Sequence, residues 1–192
     1  EVKDAYARKR LQEIGESVTP QMFGAKADGI TDDTVAFQNA LASGYSVFVP
    51  LEHGEKYLIT NTLNVTYGRT CVYGNKEARN FMFFPKEELT YRHGAIIFRP
   101  VDRTIPLFNV SGMFCSFVKL AVVYDTSSLG EDEVNNNTAF HFQKLTDISN
   151  VDCEVLDCDI REFYTGIMFN GRGLHVENNF FNGCSYDIKV HM

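Results

Sequence analysis

Residues 23–41 read Phe-Gly-Ala-Lys-Ala-Asp-Gly-Ile-Thr-Asp-Asp-Thr-Val-Ala-Phe-Gln-Asn-Ala-Leu. The stretch is a glycine-bearing turn that runs straight into a short helix with one apolar stripe. Asp28-Gly29 is a turn pair, because Gly29 accepts backbone angles that other residues avoid. Thr31 or Asp32 suits the helix N-cap, and Asp32 and Asp33 fall where the helix dipole favours negative charge. Phe37, Ala40 and Leu41 follow at i, i+3 and i+4 and form the stripe. Gly44 sits just past the end, as a terminating glycine does. The spacing therefore predicts a helix over about 31–43. The acids Asp28, Asp32 and Asp33 have two readings: a carboxylate cluster for metal or acid–base work, or turn and cap chemistry. The adjacent periodic helix accounts for them without a ligand, so Asp28, Gly29, Thr31, Asp32 and Asp33 are assigned to structural capping.

This run resembles the opening motif of pectate lyase-like parallel β-helix proteins, written roughly FGAKGDGxTDDTxAxQxA. Bacteriophage tailspikes and tail-fibre polysaccharide depolymerases are the members it is most similar to. Val47-Phe48-Val49-Pro50, a turn at Gly54 and Tyr57-Leu58-Ile59 continue the resemblance, which is best over 18–125. It implies an all-β fold: a right-handed parallel β-helix with a short N-terminal capping helix and a preceding helical neck. It implies a neck over 1–17, with residues 18–192 as the first coils of a solenoid that continues in a longer protein. It further implies a homotrimer in a virion tail, with other tail proteins and a bacterial surface polysaccharide, capsule or O-antigen, as partners. The reaction would be lyase or hydrolase chemistry with no cofactor and no metal. Two alternatives are a non-catalytic receptor-binding or structural virion module, and a secreted cellular carbohydrate enzyme.

Composition narrows the field from another side. The 192 residues are enough for one real core, with 44% hydrophobic and 22% charged residues. No apolar run is long enough to cross a membrane as a helix, so no membrane insertion is expected. The net charge of −7 argues against general nucleic-acid binding, which needs a basic stripe. An acidic polysaccharide would have to meet local Arg or Lys against that field. Cys71, Cys115, Cys153, Cys158 and Cys184 are odd in number and contain no C-x-x-C, so neither a zinc site nor a disulfide framework is expected. Lying among alternating apolar residues, they read as buried thiols.

Along the chain, residues 1–15 read either as a short helix or as a frayed arm. After Gly44 the texture becomes short β-rich runs: 47–50, 57–60, 63–65, 71–74, 95–98, 107–110 and 117–123. The apolar run 81–84 and the patch 91–94 interrupt them, and 125–137 is a long polar loop. Then Val155, Ile160, Phe163 and Ile167 recur 21 positions later as Val176, Phe181, Cys184 and Ile188. A period in the low twenties is what one coil of a β-solenoid requires. The strand-like residues 187–190 are followed by no capping segment, so further solenoid or a partner is expected to cover this end.

Alternation sorts the late residues into inner and outer sets. Val151, Cys153 and Val155 should point inward, then Leu156, Cys158 and Ile160 after a phase slip. Asp157, Asp159 and Arg161 should then point out. Carboxylates two residues apart on a strand lie roughly 6.5–7 Å apart. Inverting glycosidases separate theirs by roughly 6.5–9.5 Å. Asp157 and Asp159 therefore make a candidate acid–base pair, although any solvated acidic face passes that test. A lyase would instead need a base and cations beside the uronate. For that, Arg161 and His175 are the candidate catalytic residues, with Tyr164 and Arg172 as candidate substrate-binding residues. The N-T-D, G-H-G and R-I-K signatures of polygalacturonase-type relatives are absent, and the only Asp-Asp is Asp32-Asp33 in the opening helix. The resemblance therefore implies that the complete active site lies outside this segment.

Overall fold

The computed structural model describes residues 17–51, 54–75, 94–127, 136–143 and 151–191. The expected neck (apart from Ser17), the aromatic run 81–84, the patch at 91–93 and positions 128–135 of the polar loop lie outside the described residues. The chain passes through a single 3-10 turn at Pro20–Phe23, the strand β1 (Asp28–Asp32) and the helix α1 (Thr34–Leu41). Each of the next five coils supplies three strands. They are β2 (Val47–Val49), β3 (Lys56–Ile59) and β4 (Leu63–Val65); β5 (Cys71–Gly74), β6 (Ala95–Phe98) and β7 (Pro106–Val110); β8 (Ser116–Val118), β9 (Ala121–Tyr124) and β10 (Thr138–Phe142); β11 (Val151–Leu156), β12 (Asp159–Arg161) and β13 (Thr165–Phe169); and β14 (Arg172–Glu177), β15 (Phe180–Asn182) and β16 (Tyr186–Val190).

The strands stack into three parallel sheets. Sheet A is β2-β5-β8-β11-β14, sheet B is β1-β3-β6-β9-β12-β15, and sheet C is β4-β7-β10-β13-β16. This is a parallel β-helix. The 21-residue repeat is seen directly in the register: Val155 lies beside Val176, Ile160 beside Phe181 and Ile167 beside Ile188. Each inner column continues back through the stack, as in Val47, Val72, Phe117 and Val155. Burial drives this arrangement, since no single coil can bury its apolar face alone. Phe108 and Phe140 stack at 5.3 Å between ring centroids, with Phe117 about equally close to both. Phe37 of α1 packs edge-on against Tyr57 and Phe108, so the helix lies over the interior of the early coils.

Tight corners make the coils possible. Asp152, Asp157 and Glu162 have φ of 48°, 54° and 63°, and their counterparts Gly173, Asn178 and Gly183 have 70°, 55° and 70°. The left-handed residues thus recur at the same three corners of successive coils. Lys119, at φ 53°, does the same and breaks the expected single strand 117–123 into β8 and β9. An asparagine just past a corner ties one coil to the one before. Asn75 Oδ1 accepts the Leu51 amide at 2.9 Å, and Asn179 Oδ1 accepts the Cys158 amide at 2.8 Å.

Three local expectations are corrected. The helix begins at Thr34, not near residue 31, because Asp28–Asp32 pairs with β3 as a strand. The N-cap position is therefore Asp33, and its side chain makes no capping bond. Leu156 completes β11 as an outward, half-buried residue, since the phase slip falls at the left-handed Asp157. Cys115, Cys153 and Cys158 are buried free thiols, with Cys71 and Cys184 partly covered. Among the described residues no helix is long and apolar enough to cross a membrane.

Candidate functional site

The acids of the opening motif are occupied by the backbone around them. Asp28 Oδ1 accepts the amides of Ile30 and Thr31 at 2.8 and 2.7 Å. Asp32 accepts the Thr34 amide and hydroxyl, and its second oxygen accepts the Thr60 hydroxyl at 2.7 Å. Asp33 is buried and accepts the amides of Lys26 and Ala27 at 2.7 and 3.0 Å. Burial, set against those bonds and helped by the charges of Asp28 and Asp32, holds the Asp33 carboxyl above its ordinary value. Burial also acts on Asp32, but its hydrogen bonds outweigh it and the carboxyl lies below its ordinary value. These carboxylates close turns, with Gly29 at φ 76° beside them and Thr31 bonded to Asp28.

The pair Asp157 and Asp159 does not share a strand, because the chain turns the corner between β11 and β12 at Asp157. The separation expected along one strand therefore does not apply. Asp159 and Arg161 do point away from the inner column at Ile160, yet they are not solvated. Asp159 is 1% exposed and Arg161 7%. Arg161 donates to both carboxylate oxygens of Asp159, at 2.6 and 2.8 Å, and its guanidinium lies 5.3 Å from the Phe180 ring centre. A paired, bidentate, buried ion pair is a packing device by its geometry.

The remaining candidates part company. Tyr164 lies at the start of sheet C, 5.4 Å from the Tyr186 ring, with Lys189 Nζ 4.6 Å from its centre. Arg172 and His175 belong to β14 on sheet A. His175 is where a chemical set does assemble. On the outer face of sheet A, Cys71 lies beside Ser116, Ser116 beside Glu154 and Glu154 beside His175, one per coil. Ser116 Oγ donates to Glu154 Oε2 at 2.9 Å. His175 Nδ1 lies 4.0 Å from Glu154 Oε1, and Nε2 lies 3.1 Å from Glu177 Oε2. The side chains of Glu154, His175 and Glu177 are 41%, 56% and 59% exposed, so substrate-sized molecules can reach them. Burial, then the charge on Glu154, holds the Cys71 thiol above its usual value. An imidazole between two carboxylates, backed by a hydroxyl, can take up, hold and return a proton. Among the described residues, no group of three or more His, Cys, Asp or Glu side chains is placed to hold a metal ion.

Glu154, Glu177 and Ser116 were not singled out by the sequence reading. Glu154 was within reach of it, since it stands one 21-residue repeat before His175. Ser116 was not, because it stands 38 residues before Glu154, not one 21-residue repeat.

No family model matches the chain. The chain is 30% identical over 164 residues to the capsule K30/K69-specific depolymerase of Klebsiella phage K64-1, covering 80% of this chain and 19% of that protein. It is 50% identical over 40 residues to the preneck appendage protein of Bacillus phage PZA, covering 21% of this chain and 4% of that one. The solved structure of the pre-mature bacteriophage phi29 gene product 12 superposes with a TM-score of 0.60 at 19% identity, over 93% of this chain and 24% of that one. At that identity the likeness is one of fold. The chain spans less than a quarter of the length of each of these three proteins. It is a parallel β-helix segment whose matched relatives are a phage capsule depolymerase and a phage appendage protein.

Proposed function

We propose that residues 18–192 are coils of a phage tail protein that binds a bacterial surface polysaccharide, capsule or O-antigen, and depolymerises it as a homotrimer on the virion. The observation that carries the reading is the 30% identity to a capsule-specific depolymerase over 80% of the chain. The outer face of sheet A adds chemistry to it. His175 is the acid–base residue, with Glu177 Oε2 3.1 Å from its Nε2 and the Glu154 carboxylate 4.0 Å from its Nδ1. Arg172, at the start of the same strand, supplies positive charge for an acidic sugar in a chain of net charge −7. In an elimination, the base removes the proton at C5 of a uronate, a C4–C5 double bond forms and the C4–O bond breaks, with the departing oxygen taking up a proton from the imidazolium or water. In a hydrolysis, the base takes a proton from water, whose oxygen bonds to the anomeric carbon as the glycosidic bond breaks, and the departing oxygen takes up a proton from the imidazolium or water. Both steps need a base beside an exposed track, which this face provides.

Incubating the full-length protein with purified capsular polysaccharides, K30 and K69 included, tests the reading. New reducing ends together with unsaturated uronate identify a lyase, and reducing ends alone a hydrolase. Tight binding with neither product removes the enzyme reading. It would then favour a non-catalytic receptor-binding or structural virion module, which the 50% identity to a preneck appendage protein also supports.

A further inference from the structure

One corner of the solenoid carries aromatic side chains that the core does not use. The corner between sheets C and A places left-handed residues above one another: Arg69 at φ 63°, Phe114 at 57°, Asp152 at 48° and Gly173 at 70°. Gly and Asp adopt this conformation readily, whereas a bulky aromatic residue avoids it. Phe114 nevertheless holds it with its side chain in solvent, 44% exposed. One coil earlier at the same corner Tyr67 is 54% exposed. The two corners touch through their backbones. Arg69 N donates to Met113 O at 2.7 Å, and a Cβ on Gly112 would meet Tyr67 O at 2.5 Å. Among the described residues neither ring packs on another aromatic ring. A strained and exposed aromatic that stacks on no other described ring points to a binding role.

Its position says for what. Each corner residue stands two places before an outward residue of sheet A: Arg69 before Cys71, Phe114 before Ser116, Asp152 before Glu154 and Gly173 before His175. Successive coils are about 4.8 Å apart. A ligand running along the solenoid therefore meets Tyr67 and Phe114 first, and Glu154 and His175 within the next two coils. Repeating, flat-faced and polar-edged units fit such a track. A pyranose ring lays its C–H face on an aromatic ring and keeps its hydroxyls in water. Arg69 and Arg172 stand at either end of this line, which suits a polymer that carries acidic groups.

We propose that Tyr67 and Phe114 form a saccharide-stacking subsite that seats an acidic polysaccharide and directs its next residues onto Glu154 and His175. This rests on the polysaccharide reading given above. Phe114 is a positioning residue, since it touches the substrate's neighbouring unit and not the bond that breaks.

The test compares the full-length protein with Phe114→Asn, Phe114→Tyr and Tyr67→Ala on an array of purified capsular polysaccharides that includes K30 and K69. Asn tolerates the left-handed conformation, so Phe114→Asn should melt at a higher temperature than the wild type while losing about tenfold or more in binding. Tyr67→Ala should weaken binding similarly. Phe114→Tyr keeps the ring and should bind within about twofold of the wild type. If the wild type binds and both Phe114→Asn and Tyr67→Ala bind equally well, the subsite is overturned and the wider reading stands. If Phe114→Asn melts lower than the wild type, Phe114 is a structural residue and the proposal again fails. If the wild type binds no polysaccharide on the array, the polysaccharide reading falls and takes the subsite with it.

Discussion

The two ends of the described solenoid spend their carboxylates in opposite ways. At the opening motif, Asp28, Asp32 and Asp33 accept backbone amides and neighbouring hydroxyls, and the turn depends on them. On the last coils, Glu154 and Glu177 face solvent on sheet A and meet a histidine instead of the chain. Asp159 lies between these extremes: it is buried and locked to Arg161. The residue types alone do not separate the three cases. What separates them is which groups the coil stacking brings within reach, and whether water can follow.

The sharpest way to break this contrast is at Asp159. Asp159→Ala would leave a buried guanidinium without its partner, and urea unfolding should show a loss of about 3–5 kcal/mol. A loss below about 1 kcal/mol would mean that water reaches the pair and that it resembles the exposed set. His175→Asn makes the opposite claim. It should lower any depolymerising rate about 100-fold or more while changing stability by less than about 0.5 kcal/mol, measured by product formation and by thermal melting.

At the other end, Asp33→Ala orphans the amides of Lys26 and Ala27 and should cost about 2 kcal/mol in the same unfolding assay, with no effect on catalysis. The smallest effect is on pH dependence. The Asp32 carboxyl is lowered in the fold, so its contribution is present above the ordinary value of 3.8 and is lost as pH falls through the lower folded value. Asp33 is raised, so the fold takes up its proton more readily than the unfolded chain does, and its contribution runs the other way. Asp32→Asn should therefore flatten the acid limb of stability below about pH 4, and Asp33→Asn should steepen the pH dependence just above about pH 4. Matching limbs in the two variants would show that the motif's acids are not held as the hydrogen bonds indicate.

Much of the fold was legible because its signals are local or periodic. Phe37, Ala40 and Leu41 announce the helix, and they are the residues it buries. Val155, Ile160 and Ile167 announce the coil length, since inward residues must sit on their equivalents one turn away. The corners were harder. Lys119 and Asp157 carry no composition signal for a left-handed turn, so one strand was read as continuous and one phase slip fell a residue early. The spacing argument for Asp157 and Asp159 does not hold for that reason: it assumed a strand where the chain bends.

By itself, then, the chain determined a stacked β architecture, its opening helix and the 21-residue rhythm of its last coils, because burying apolar side chains leaves a period that survives in the residues. Only the tertiary structure decided which polar groups meet. Ser116, Glu154 and His175 come from three coils of unequal length, and the unequal insertions erase any fixed spacing between them. Stacking ignores those insertions and aligns strands by their inner columns. It is this alignment that sets Ser116, Glu154 and His175 side by side on sheet A and leaves Phe114 strained and exposed at the corner beside them.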